Sequence, residues 1–425
     1  MEFIHYLHIP LYLFYLGLFC WLIYRWRFFE SQGVDKRQLV SFLLLKVLAG
    51  IVLTLIYTYY YTDPAKADIH RYFRDGKIIS NVLFVNPSAW LQIMTGIGMH
   101  SKEVYLYMLP TLYFTHHAGD LANNNQFIIR VISVCNYFSL YNIYINTLFF
   151  DLLSFVGLFL LFKSLKRFVT GLPQILYFLL FLIPSVIFWS SGLLKENILL
   201  FAIGLYLYSI LRWCDDGKWK YLFGALVALC IMASIKLYIA GLLLLCSFVL
   251  PVPVSRNKKI IALAIGLALA WYFTGNNFCE RIIDKRNNFV QLAITENAGS
   301  VVDNSITQPD CAHLFQLVPS TLVNSILRPF IWEGGKLFQR AFAIENTLLL
   351  ALLVYLLFRY FKWPTGNKLR LAGFCFLFAL LNYLVIGATV PVMGAIVHYR
   401  IISTVFMVMG VTLLLNKREV KTEQL

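Results

Sequence analysis

The sequence predicts an all-α polytopic integral membrane protein with about eleven transmembrane helices and two long outer loops carrying interfacial helices. Three observations predict it. Of 425 residues, 60% are hydrophobic and only 13% charged, whereas a soluble domain is about 45–50% apolar and about 25% charged. Apolar runs near ~20 residues, the length that crosses a bilayer core, recur along the chain. The gaps between them alternate in charge, as the positive-inside rule requires. No repeat, low-complexity tract or Gly/Pro-rich linker interrupts this pattern, which excludes solenoid and disordered classes and leaves 1–425 as a single membrane domain.

The runs fall near 4–24, 38–60, 142–162, 171–190, 196–211, 219–235, 237–253, 260–275, 343–358, 371–390 and 400–416. The first resembles a signal peptide only in length. Its leading residues hold Glu2 and His5 but no Lys or Arg, and Arg25 and Arg27 follow it, so it reads as a retained anchor. One set of gaps is strongly basic: Arg25, Arg27, Lys36 and Arg37; Lys163, Lys166 and Arg167; Arg256, Lys258 and Lys259; Lys417 and Arg418 are examples. These are expected on the cytoplasmic side, with the N-terminus outside and the C-terminus inside an inner membrane. Most of the formal charge of +15 lies in them, so it is a topology signal rather than a nucleic-acid footprint.

The two long gaps, 61–125 and 276–341, are then periplasmic loops, and long connections usually carry function. In the first, Asp63-Pro64 reads as an N-cap and first helical residue. Asp68, His70, Arg71, Tyr72, Arg74 and Asp75 follow on a short helix, where Asp68 and Tyr72 share a face, as do Arg71 and Asp75. Segments 82–97 and 104–114 read as interfacial helices. The second loop turns apolar at Leu327-Arg328-Pro329-Phe330-Ile331-Trp332-Glu333. Trp189–Asn197 is a tight outer turn, and Tyr399-Arg400 opens the last span. Asp68, Arg71, Lys195, Arg328, Glu333 and Arg400 are expected to converge at one membrane surface.

Blander readings stand beside these. Lys195 and Glu196 read equally as interfacial anchors, and Arg328 and Glu333 as partners of each other. Arg400 is harder to dismiss, because charge near hydrocarbon is expensive. Asp151, near mid-span, is expected to make an internal hydrogen bond, with Lys46 and Lys236 structural. Cys279 and Cys311 share the second loop and either bridge or remain thiols. His116-His117 with Asp120 has metal-ligand residue types, but adjacent histidines cannot share a helix face, so no metal is expected. Thr95-Gly96-Ile97-Gly98 lacks the rest of any phosphate-loop fingerprint, and no cofactor is expected. No Gly-x-Ser-x-Gly elbow marks an acyl transferase.

Clustered cations at the outer interface, one carboxylate and nearby aromatics suit chemistry on a lipid-linked sugar. Arg71, Lys195, Arg328 and Arg400 are the candidate phosphate-holding residues. Asp68 is the candidate general base toward an acceptor hydroxyl. Tyr72, Trp90 and Trp332 are candidates to stack on sugar faces. At these residues the chain resembles the Wzy/EpsG-type exopolysaccharide polymerases and, more loosely, GT-C membrane glycosyltransferases of the bacterial envelope. Two spans followed by an outer Asp-x-x-x-Tyr segment (Asp68 to Tyr72) carry the resemblance. Ser191-Gly192-Leu193-Leu194-Lys195-Glu196 is similar to a Ser-x-x-Arg-Gln segment that opens a span in the EpsG-like group, with Lys-Glu in place of Arg-Gln. Arg-Pro-Phe-x-Trp-Glu (Arg328 to Glu333) and Tyr399-Arg400 also resemble segments of envelope-polysaccharide membrane proteins. GT-C enzymes place the acidic loop after the first span; here it follows the second.

The resemblance implies an inner-membrane glycosyltransferase or glycan polymerase acting on polyprenyl-linked saccharides at the periplasmic face. Its partners are then membrane lipid and other envelope-polysaccharide assembly proteins, not nucleic acid. The rival class is a transporter or flippase of the same lipid-linked saccharides, which predicts intramembrane charges facing a central path; Asp151, Lys46 and Lys236 are the candidates, and no paired broken helices or inverted repeat can be read from the hydropathy.

Overall fold

The computed structural model describes residues 2–31, 33–60, 67–115, 124–169, 172–250, 257, 264, 278–295, 316–333 and 337–416. Among these the chain is helical, with β pairing limited to two isolated bridges, Ser31 with Val34 and Phe361 with Leu415. Seven helices are long and apolar enough to cross a membrane: Tyr6–Arg25, Lys36–Tyr60, Ile143–Phe168, Lys195–Asp216, Trp219–Val249, Leu337–Tyr360 and Gly366–Thr389. An eighth span arises if Met393–Tyr399 and Ile401–Leu414, bent by 50°, count as one. Among the described residues the architecture is all-α, and its long apolar helices fit a multi-pass membrane protein.

Three places separate this number from about eleven. The run 171–190 is interrupted: Pro173–Phe181 and Pro184–Trp189 are separate helices, because a proline and the residue before it both resist helical continuation. The runs 219–235 and 237–253 form one helical stretch, Trp219–Val249, broken only at Lys236 (φ −143°, ψ 87°). The run 260–275 lies outside the described residues, apart from the isolated position 264.

By its internal contacts the chain divides into two compact units. The first comprises Met1–Ser164 and Ile187–Leu237. Within it Glu2–Arg25 lies against Lys36–Leu55, and Asp68–Val85 packs against Gln126–Ser139, Pro87–Thr95 and Lys102–Met108. The Asp68–Val85 helix buries Ile69, Tyr72, Gly76, Ile79 and Val82, a three- and four-residue spacing that makes one apolar stripe. The expected interfacial segment 82–97 is divided differently: one helix continues to Val85, Asn86 Oδ1 accepts from Ala89 N at 3.0 Å, and Pro87 starts the next. The segment 104–114 is helical only over Lys102–Met108.

Two helices of this unit, Ile143–Leu165 and Lys195–Asp216, meet backbone to backbone. A Cβ on Gly157 would lie 2.5 Å from the Leu200 carbonyl oxygen, and one on Gly204 would strike the Gly157 carbonyl. Small residues allow this approach, the usual device where no water drives helices together. The turn before Lys195 is held from inside. Lys46 Nζ donates to the Ser190 carbonyl and Ser190 Oγ, both at 2.6 Å, and Asp151 Oδ1 accepts from Gly192 N at 3.0 Å. Asn197 Nδ2 donates to the Gly192 carbonyl at 2.9 Å. Gly192 has φ +84° and sits on Leu53 Cδ2, where a Cβ would have no room.

The second unit comprises Leu165–Val186 and Tyr238–Leu425. Gly366–Thr389 is its centre, packed against Ile401–Leu414, Val318–Leu322 and Phe278–Thr295. Ile401–Leu414 is buried along nearly its whole length and also meets Pro173–Phe181. Asn382 Nδ2 donates to Ser403 Oγ at 2.7 Å, a polar tie between two apolar helices.

The glycine contact gives a direct test. Gly157→Ala should destabilise the detergent-solubilised protein by about 1–3 kcal/mol through overpacking against backbone, read as a lower thermal midpoint. Gly241→Ala, where the added Cβ meets nothing within 4 Å, should leave the midpoint nearly unchanged.

Candidate functional site

In the first unit the helix carrying the candidate base begins at Asp68, with Ala67 as its N-cap; Asp63-Pro64 lies outside the described residues. Asp68 is exposed in the first turn, where a carboxylate is favoured by the helix dipole. Its partner comes from a distant segment: Tyr113 Oη donates to Asp68 Oδ1 at 2.9 Å. Arg71, one turn on, donates from Nη1 to the same hydroxyl at 2.7 Å, with its guanidinium 5.0 Å from the Tyr113 ring centroid. Tyr113 therefore sits between base and cation as donor to one and acceptor from the other. Burial and the Asp68 carboxylate push its hydroxyl up to about 12, against the opposing pull of Arg71.

Lys195 belongs to the same unit. Its ammonium lies 5.6 Å from the Tyr72 ring centroid and donates to Asn124 Oδ1 at 2.8 Å. Tyr72 is buried, donates from Oη to Asn125 Oδ1 at 3.2 Å, and has its ring 5.6 Å from that of Tyr113. Asp68, Arg71, Tyr72 and Lys195 are thus brought together around two tyrosines. Trp90 is not among them. It packs on Tyr137, whose hydroxyl bonds the Ser80 carbonyl, twelve residues or roughly 18 Å along the helix from Asp68.

Asp75, read from the sequence as a face-mate of Arg71 on this helix, has its partners in a distant segment. Its buried carboxylate accepts the backbone N–H groups of Leu112 at 2.9 Å, Tyr113 at 2.7 Å and Phe114 at 3.1 Å. Burial raises its pKa, and those three donors together with Arg74 pull it back only in part.

Arg328, Arg400 and Trp332 belong to the second unit. Arg328 Nε pairs with Glu333 Oε1, and its Nη1 donates to Asn324 Oδ1 at 3.1 Å, so the two members of the Arg-Pro-Phe-x-Trp-Glu segment do pair with each other. Arg400 is buried at the bend between Met393–Tyr399 and Ile401–Leu414, where Nη1 donates to the carbonyls of Ser325 and Arg328. Glu345, missed in the sequence, lies within electrostatic reach of Arg400 and accepts from Ser185 N at 2.9 Å. Trp332 is 79% exposed and stacks on Phe330 at 4.7 Å.

The remaining polar residues have structural partners. Asp151 makes its internal hydrogen bond, to Gly192 N. Lys46 is fully buried and points to the Ser190–Ser191 turn. Lys236 reaches Glu196 at 2.8 Å from the break in its own helix. Cys279 is disulfide-bonded, while Cys311, His116, His117 and Asp120 lie outside the described residues. Among the described residues no group of three His, Cys, Asp or Glu side chains is placed to hold a metal ion.

The fold defines a class at the level of architecture: a helical protein whose apolar helices fit a multi-pass membrane protein. No family model matches the chain, and no curated protein or solved structure matches it. The chemistry of the site therefore rests on its residues.

The site is tied to the preceding span through His70. Thr58 Oγ1 donates to the Thr54 carbonyl at 2.7 Å, so it accepts from His70 Nε2 at 3.1 Å. Burial lowers the His70 pKa below 6.5. The fold then favours the neutral ring, and the unfolded chain binds the extra proton. Stability is complete above the unfolded value of 6.5 and falls as pH drops through the lower folded value. Thermal midpoints recorded from about pH 8 to about pH 5 should show this loss in the wild type. In His70→Gln the His70 share of the slope should vanish.

Proposed function

We propose that this protein is a membrane glycosyltransferase or glycan polymerase acting on polyprenyl-phosphate-linked saccharides. The observation that carries the reading is the Asp68–Tyr113–Arg71 group with Lys195 on Tyr72 beside it. Asp68 is exposed and accepts one hydrogen bond, from Tyr113, which leaves carboxylate lone pairs for an acceptor hydroxyl. In the proposed step that hydroxyl attacks the anomeric carbon of the donor sugar and its proton passes to Asp68. The bond from the anomeric carbon to the phosphate oxygen breaks, and the polyprenyl (pyro)phosphate leaves with the electron pair. Arg71 and Lys195 offer positive charge to that developing anion, Arg71 with a planar fork and Lys195 as a point charge. Tyr72 supplies an aromatic wall beside Lys195. The step uses no metal or cofactor.

The proposed setting is the inner membrane, with the N-terminus and both long loops on the periplasmic side and the C-terminus in the cytoplasm. That placement rests on the positive-inside pattern. Envelope-polysaccharide assembly proteins are the proposed partners.

A second reading, transport of the same lipid-linked saccharides, is favoured by two breaks in apolar helices that each carry a charge: Lys236, paired with Glu196, and Arg400 at the 50° bend. Discontinuous helices with charged groups at the break are a transporter device.

Mass spectrometry of lipid-linked saccharides from cells lacking the gene separates the two. With wild type restored, extended or completed glycan is expected. With Asp68→Asn, single repeat units or a repeat missing one sugar should accumulate, at normal protein level. A complete intermediate held on the cytoplasmic leaflet would favour transport instead. An unchanged lipid-linked pool would remove the saccharide reading altogether.

A further inference from the structure

The Asp68–Tyr113–Arg71 group contains one member with no helix to hold it. Asp68 and Arg71 share the first turn of a regular helix, so their backbones are fixed together. Tyr113 lies in the turn after Lys102–Met108, where no regular backbone ladder fixes it. Its hydroxyl nevertheless has to lie within 2.9 Å of Asp68 and 2.7 Å of Arg71. Something must set the position of that turn to within a few tenths of an ångström.

The answer lies on the same helix. Asp75 stands seven residues beyond Asp68, two turns along and on nearly the same face. Its carboxylate takes three consecutive backbone N–H groups, those of Leu112, Tyr113 and Phe114. Asp75 is fully buried, so water does not compete for these bonds, and hydrogen bonds to a charged acceptor are about twice as strong as neutral ones. Secondary ties point the same way: Thr111 Oγ1 bonds the Met108 carbonyl at 2.6 Å, and Gln126 Nε2 donates to the Phe114 carbonyl at 3.1 Å. Asp75 ties the backbone of the turn to the helix that carries the base.

We infer that Asp75 is a positioning residue that acts through the Leu112–Phe114 backbone to place the Tyr113 hydroxyl between Asp68 and Arg71. The inference rests on the proposed glycosyl-transfer reading for its consequence, since Tyr113 then orients the carboxylate that accepts the proton. Asp75 itself touches no substrate. The geometry also explains why this acid belongs in an interior: it functions as an acceptor for backbone, and its fixed place on the helix sets the register between helix and turn. The charged group facing it is Arg74, its sequence neighbour.

The substitution that tests this is Asp75→Asn, which keeps the shape but turns one acceptor oxygen into an N–H₂ donor facing backbone donors. Two readouts are taken on the full chain. The first is amide hydrogen exchange in detergent: exchange should quicken at 110–115 in Asp75→Asn and stay unchanged there in Asp68→Asn. The second is the rate of saccharide transfer in membranes. It should fall roughly 10- to 100-fold, as misplacement near an ångström does, with KM for the acceptor little changed. Tyr113→Phe should lose activity similarly, and the double variant should be no worse than the poorer single one, because both act through the same hydroxyl. Independent, multiplying losses would mean a general structural role and would overturn the inference. So would local exchange that does not change. Where Asp75→Asn accumulates poorly, Asp75→Glu keeps charge and acceptors while shifting them by one methylene, and should show the same exchange and rate pattern at smaller size.

The inference and the reading beneath it fail differently. Activity lost in Asp68→Asn but retained in Asp75→Asn overturns the positioning role alone. Activity unchanged in both overturns the glycosyl-transfer reading, and the positioning role with it, even where exchange at 110–115 quickens.

Discussion

Inside the first unit a lysine, an aspartate and an asparagine grip the backbone of one turn. An unpaired charge in an apolar interior costs several kcal/mol; here Lys46 is held by the carbonyl and hydroxyl of Ser190, and one oxygen of Asp151 by Gly192 N. Removing either takes away one of the holds on the turn. The turn cannot shift without breaking these bonds, and Lys195 and Glu196 follow it directly in sequence. What Lys195 reaches, including Tyr72 and Asn124, is thereby set by charges some distance away. The same logic recurs at Asp75, where a buried carboxylate is spent on three amides.

Asp68 and Asp75 show how environment divides one residue type into two tasks. They share a helix and nearly a face. Asp68 is exposed, accepts one hydroxyl and keeps room for an incoming group. Asp75 is enclosed, saturated by backbone donors and has no access to anything outside the protein. An exposed carboxylate can exchange protons, and an enclosed one can hold geometry. The pairing of the two on one rigid rod couples the chemistry of the first to the precision of the second.

The helical character and the helices apolar enough to cross a membrane were legible because composition and run length are properties of the chain itself. The spans at 4–24, 38–60, 142–162 and 371–390 match helices to within a few residues at most ends. The expected internal hydrogen bond of Asp151 was also readable, since a charge at mid-span has few alternatives. The interruption of 171–190 had a signal in Pro184, but an apolar run read by length alone hides it. What could not be read was anything joining residues distant in sequence. Tyr113 stands 45 residues from Asp68 and 42 from Arg71, in a stretch whose pattern suggested only an interfacial helix. Asp75 was visible as a helical neighbour of Arg71, yet helical spacing gives adjacency and says nothing of a third segment lying closer. Trp90 illustrates the converse: an aromatic in the right loop, carried by its own short helix onto Tyr137.

The spans differ widely in how much of their surface meets protein. In the most apolar 18-residue stretch of Tyr6–Arg25 11% of residues are buried, against 78% in that of Ile143–Phe168. Lipid tails have no fixed shape, so a helix that faces them is constrained to be apolar and little else, while a helix that faces protein must keep its contours, glycines included. Divergence among descendants of this chain should therefore run fastest along Tyr6–Arg25 and slowest along Ile143–Phe168. A lineage compared by its opening residues would look older than the same lineage compared by its Ile143–Phe168 helix.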